Sequence, residues 1–106
     1  MNKRRRRFEV LLPLQFNDGR AVPKSWLADA IFEIAEHFDG ASHDTQEIEG
    51  FWRHAGEVYH EKFSRVVVDV PDTKVNREWV RQYKSRWKAK LKQIELWVIS
   101  YRIEIE

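Results

Sequence analysis

Four histidines, a small set of carboxylates and one cationic helix face are the residues of this 106-residue chain whose types could do chemistry. His37, His43, His54 and His60 could serve as metal ligands or general bases, since imidazole titrates near neutral pH. No H-x-x-x-H spacing joins them, and cysteine is absent, which excludes disulfides, thiolate nucleophiles and Cys-held zinc or iron–sulfur centres. His60 with Glu61, and Asp44 with Glu47 and Glu49, are the polar clusters that could line a pocket. His37, at the rim of an apolar helix arc, together with His60 and Glu61, are the catalytic candidates, although packed or solvated roles are the simpler reading of each histidine. The four glycines are scattered, so no loop cradles a phosphate, and no G-x-S-x-G nucleophile motif is present. These residues predict no cofactor and no metal, and they weigh against an enzyme.

The cationic face is more regular. Arg77, Arg81, Lys84, Lys88 and Lys92 fall within an arc of about 80° on one helix, a ridge roughly 22 Å long. With Arg4, Arg5, Arg6 and Arg7 it could contact the phosphates of a nucleic acid, or an acidic protein. A solvated helix face is the preferred reading, because no base-reading motif accompanies the charge. The segment Tyr59-His60-Glu61-Lys62-Phe63-Ser64-Arg65 lacks the glycine and the aromatic spacing of RNA-recognition strands.

Hydrophobic period lays out the elements that position these residues. Phe8, Val10, Leu12, Leu14 and Phe16 alternate along a strand over 7–16, ended by Asn17-Asp18-Gly19. Pro23 opens a helix to about 38 whose apolar arc is Trp26, Leu27, Ala30, Ile31, Ile34 and Phe38, with Phe32 pointing away from it. A polar edge strand over 41–52 and a long strand over 57–70 flank a loop of three to four residues at 53–56, which would set His60 opposite Gly50. Asp72 or Thr73 caps a second helix over 75–92 with a core stripe of Val75, Trp79, Val80, Tyr83, Trp87 and Leu91. A last strand over 94–105 puts Trp97, Ile99, Tyr101, Ile103 and Ile105 on one face. The order β-α-β-β-α-β predicts a ferredoxin-like α+β sandwich, a four-stranded antiparallel sheet with two helices on one face. It forms one domain over 7–106 behind a basic, disordered head at 1–6.

A single helical layer leaves the other sheet face uncovered. Leu11 and Pro13 on the second face of strand one, Leu96 and Val98 opposite the Trp97 series, and Tyr59, Phe63 and Val67 opposite Val66, Val68 and Val70 make both faces of three strands substantially apolar, so a homodimer through the open face is expected. Charge is segregated: nine acidic residues against Arg53 between Asp29 and Glu61, then eight basic against Glu78 between Lys74 and Lys92. Such a pattern speaks of partners rather than of fold. No apolar run approaches the roughly 20 residues of a membrane span, so no membrane partner and a cytoplasmic location are expected.

Several short motifs carry a resemblance. Asp18-Gly19, Trp26, Phe38-Asp39-Gly40, Gly50-Phe51-Trp52-Arg53 and Tyr83-Lys84-Ser85-Arg86-Trp87 resemble a family of small, uncharacterised bacterial domains of unknown function. The resemblance implies the same fold and no activity. A broader likeness is to dimeric α+β barrels, some of them small monooxygenases, whose catalytic residues cannot be placed here by motif. The expected function is therefore a homodimeric binding or interaction module of unknown ligand, with a nucleic-acid binder and a small barrel enzyme as alternatives.

Overall fold

The alternating run near the start of the chain becomes the strand against which the sheet registers. In the structure, a computed structural model describing residues 4–106, β1 spans Arg5–Pro13 and pairs antiparallel on both sides. It is followed by α1 (Lys24–Phe38), β2 (Ser42–His54), β3 (Glu57–Pro71), α2 (Lys74–Lys90) and β4 (Val98–Ile103). The sheet order is β2-β3-β1-β4, so the ferredoxin-like α+β architecture is as expected. Phe8, Val10 and Leu12 share the inner side of the sheet with Val66, Val68 and Val70 of β3. Ala30 and Ile34 of α1 and Val80, Tyr83 and Trp87 of α2 close over them, with Leu91 and Leu96 filling the end. No helix among the described residues is long and apolar enough to cross a membrane.

Local chemistry explains the boundaries. The Pro23 carbonyl accepts from the N–H groups of Trp26 and Leu27, and Asp39 ends α1 in the left-handed region at φ 60°, letting the Gly40 N–H reach the Ala35 carbonyl. Thr73, not Asp72, caps α2: its hydroxyl accepts from the Asn76 N–H at 3.1 Å. Asp72 instead takes Arg6 at 2.9 Å, Arg102 at 3.3 Å and Arg77 at 3.5 Å. Val75, expected in the core stripe, is 77% exposed, and the covered stripe begins one turn later at Trp79 and Val80.

Three expectations change at the ends of strands. Arg5 and Arg6 belong to β1 rather than to a disordered head, because Asp72 and Asp69 give Arg6 and Arg7 partners, while residues 1–3 of that head lie outside the described residues. The last strand is shorter than 94–105, since the chain turns through 91–97 with Leu96 pinned in the core. The hairpin loop has two residues, Ala55 at φ 51° and Gly56 at φ 81°, the pair of positive values that fits strand twist. That shortening sets Phe51 opposite His60 and Gly50 opposite Glu61. One residue of register moves every side chain of β2 to the other face.

Helix α1 is tied to α2 by a polar seam. The Tyr83 hydroxyl donates to the Ala30 carbonyl at 2.7 Å, and Glu33 accepts from Arg86 and, at 2.8 Å, from the Trp87 indole N–H. Partial burial pushes the Glu33 carboxyl up, but the hydrogen bonds from Arg86 and Trp87 outweigh it and hold the group below the usual range. A depressed folded-state value means stabilisation that is complete above the unfolded value and lost as pH falls from there through the lower folded value. Melting temperature should therefore decline below about pH 4.5 in part through this group. Glu33→Gln should lose about 1–2 kcal/mol at pH 7 and show a flatter acid decline in pH-dependent thermal melts.

Candidate functional site

Side chains at odd positions of β1, β3 and β4, and at even positions of β2, look out from the face the helices leave open. The face has two halves of opposite character. Around the middle of β1 it is laced with charge. Arg65 reaches Asp44 at 3.0 Å and Glu9 at 3.4 Å, the Tyr101 hydroxyl donates to Glu9, and Arg7 holds Asp69 through two hydrogen bonds of 2.7 and 2.9 Å. The expectation of an apolar slab across the whole open face is thus corrected: ion pairs engage these groups on the sheet itself, with Arg65 Nε left buried and unpartnered among the described residues, and the aromatic hollow lies at one end.

That end, beside the hairpin, is concave. Leu11, Gly50, Phe51, Trp52, Glu61, Phe63, Glu95 and Trp97 line a hollow of about 420 Å³, within the range of small-molecule sites. The β2–β3 register builds it: Trp52 sits across from Tyr59 and stacks on it at 4.6 Å, Gly50 sits across from Glu61, and Ile48 across from Phe63. Trp97 enters from the turn before β4, where its carbonyl accepts from the Leu11 N–H at 3.0 Å, and it remains 57% exposed. Two carboxylates interrupt the aromatic wall. Lys84 takes Glu95 at 3.1 Å, and that hydrogen bond holds the Glu95 carboxyl below its usual range. Glu61 is half-buried, and its carboxylate makes no hydrogen bond or ion pair among the described residues. A carboxylate left without a partner in such a setting is a natural seat for a ligand's cationic group.

Of the catalytic candidates the structure brings only Glu61 to this hollow. His60, its neighbour in sequence, points to the opposite face, where it stacks flat on Phe51 at 4.4 Å and lies 3.8 Å from Glu49. His37 lies on the helical layer, stacked on Trp79 at 4.0 Å and edge-on to Phe38. His43 contacts the Ser64 hydroxyl, and His54 ends β2 beside Trp52. Among the described residues no group of three or more His, Asp or Glu could hold a metal ion. The basic ridge is largely engaged within the molecule: Arg77 with Asp72, Arg81 with Glu78 at 3.3 Å and Lys84 with Glu95. Arg6 and Arg7 are likewise held by aspartates. Trp52, Phe63 and Trp97 were not among the candidates read from sequence. The signals for them were a glycine inside a strand and a tryptophan at the start of the last apolar run, and neither means anything until the hairpin register is known.

No protein-family model matches this sequence, and no curated protein matches it. The resemblance carried by the short motifs therefore stands only for the fold it implied. Among solved structures the chain is similar to a phage SAM lyase in complex with S-methyl-5'-thioadenosine, at a TM-score of 0.65 and 15% sequence identity, over 99% of this chain and 92% of that one. At that identity the likeness shows the fold. It also corrects the functional expectation: a protein that shares this architecture nearly end to end is a SAM lyase, an enzyme, and the reading as an interaction module of unknown ligand gives way.

Proposed function

We propose that this chain is an enzyme that binds S-adenosylmethionine in the hollow of the open face and cleaves it as a lyase, releasing S-methyl-5'-thioadenosine. The observation that carries the reading is Glu61, unpartnered and half-buried among Trp52, Phe63 and Trp97. The substrate presents a planar purine, a sulfonium and an ammonium, and aromatic faces and carboxylates are the groups that receive such parts. S-Methyl-5'-thioadenosine is what remains when the bond from sulfur to the four-carbon amino-acid arm breaks and its electron pair neutralises the sulfonium. The substrate's own carboxylate can bond to the vacated carbon, closing a five-membered ring without water, so the step asks for no protein nucleophile. Two opposite charges disappear in that step, and an apolar wall favours their loss over the charged ground state. Glu61 then holds the ammonium group and fixes the arm for ring closure, a positional contribution.

The purified protein incubated with S-adenosylmethionine, with products followed by chromatography, tests this directly. Methylthioadenosine accumulating in step with substrate loss, above the rate without protein, is expected. No product, together with no rise in melting temperature on adding methylthioadenosine, would discard the proposal.

A further inference from the structure

Gly50 has no backbone reason to be glycine. Gly19, Gly40 and Gly56 take positive φ values with nothing near the place a Cβ would occupy, whereas Gly50 lies in ordinary strand conformation and meets a ring. A Cβ built there would sit 2.6 Å from Phe63 Cε2, 3.5 Å from Cδ2 and 3.6 Å from Cζ. Carbon atoms pack at about 3.5–4.0 Å, so a methyl group would force the ring up by roughly 1 Å, into the hollow that Phe63 lines. Phe63 pairs with Ile48, so its ring leans diagonally across the ladder to lie over Gly50. Glycine inside a strand weakens it, and covering the gap with a ring recovers part of that loss. The ring is thereby laid down on the sheet as a floor, with Trp52 and Trp97 also lining the hollow.

We propose that Phe63, laid over Gly50, is the surface on which the ligand's purine ring stacks, and that Gly50 is the positioning residue that keeps this floor low. This rests on the hollow being the methylthioadenosine site. Stacking of a base on an aromatic side chain contributes enough that its loss should be read as a tenfold or larger change, on the order of the effects seen for single-strand binders.

Calorimetric titration of methylthioadenosine into the full chain tests it. Gly50→Ala and Phe63→Leu should each weaken binding by about tenfold or more, and the double variant should be no weaker than the poorer single one, because both remove one contact. Phe63→Tyr, which keeps the ring, should bind within about threefold of the wild type. A role confined to sheet stability would lower the melting temperatures and leave the affinity of folded protein unchanged. Wild-type affinity in Gly50→Ala or Phe63→Leu, or losses that multiply in the double variant, would overturn the inference while leaving the lyase reading intact. If Gly50→Ala does not fold, Phe63→Leu decides alone. A wild type that neither binds methylthioadenosine nor consumes S-adenosylmethionine would remove both.

Discussion

Glu61→Gln should lower kcat/KM for S-adenosylmethionine by roughly 30- to 150-fold, while affinity for methylthioadenosine stays within about twofold of the wild type. The first figure is the loss of one charge-assisted hydrogen bond in a partly desolvated setting, about 2–3 kcal/mol. The second follows from what the product lacks: methylthioadenosine carries neither sulfonium nor ammonium, so a carboxylate that serves the cationic arm has nothing to hold in it. Glutamine is nearly isosteric, and Glu61 has no partner among the described residues, so the substitution orphans no other group and melting temperature should barely move. Steady-state kinetics and calorimetry on the same preparations separate the two affinities. Equal weakening of both ligands would mean that Glu61 shapes the hollow rather than recognising the charge, and no effect on either would take it out of the site. Glu95 gives the contrast, because Lys84 already neutralises it. Glu95→Gln should cost less than Glu61→Gln in the same kinetic assay.

How much of this was legible in the residues depends on which physical scale carried the information. The order of elements followed from period alone, because alternation in β1 and the apolar arcs of α1 and α2 are local patterns. Most of the inner core followed with it, but Val75 is exposed, and Val22 and Leu96 enter the core from segments outside the helices and strands. The hollow did not, and the reason is the hairpin. Both Ala55 and Gly56 adopt positive φ, which a three- to four-residue loop would not require, and alanine gives no warning of it. With the loop misjudged by a residue, Gly50 faces His60 on paper and Glu61 in the structure. His60 and Glu61 are both candidates by residue type, and the register alone decides which of the two lines the hollow. The charged half of the open face was hidden for a different reason. Arg7, Glu9, Arg65, Asp69 and Tyr101 lie far apart in sequence, and only pairing across three strands turns them into a connected ladder. The same holds for part of the ridge on α2, whose spacing is cationic by sequence but whose Arg77 and Lys84 find carboxylates outside the helix, at Asp72 and Glu95.

The largest loss of stability should come from Tyr83, on the far side of the sheet from the hollow. Its side chain is fully buried, with Trp79 and Trp87 beside it and its hydroxyl donating to the Ala30 carbonyl. Burial pushes the phenol well above its usual range, with the Glu33 charge adding to the shift, so the group stays neutral and keeps its proton to donate at any pH at which the protein is handled. Tyr83→Phe removes the hydrogen bond alone and should cost about 1–2 kcal/mol. Tyr83→Ala also empties a ring-sized volume between α1, α2 and the sheet, and should cost about 4 kcal/mol, a melting temperature lower by roughly 20 °C for a domain of this size. Paired urea and thermal unfolding of the two variants measures the difference. The comparison bears on the site as well. Because the sheet separates Tyr83 from Glu61 and Phe63, Tyr83→Phe should keep methylthioadenosine affinity unchanged at temperatures where it is folded. A loss of affinity there would mean that the helical layer sets the shape of the open face, and that the sheet does not act as a rigid partition between core and ligand.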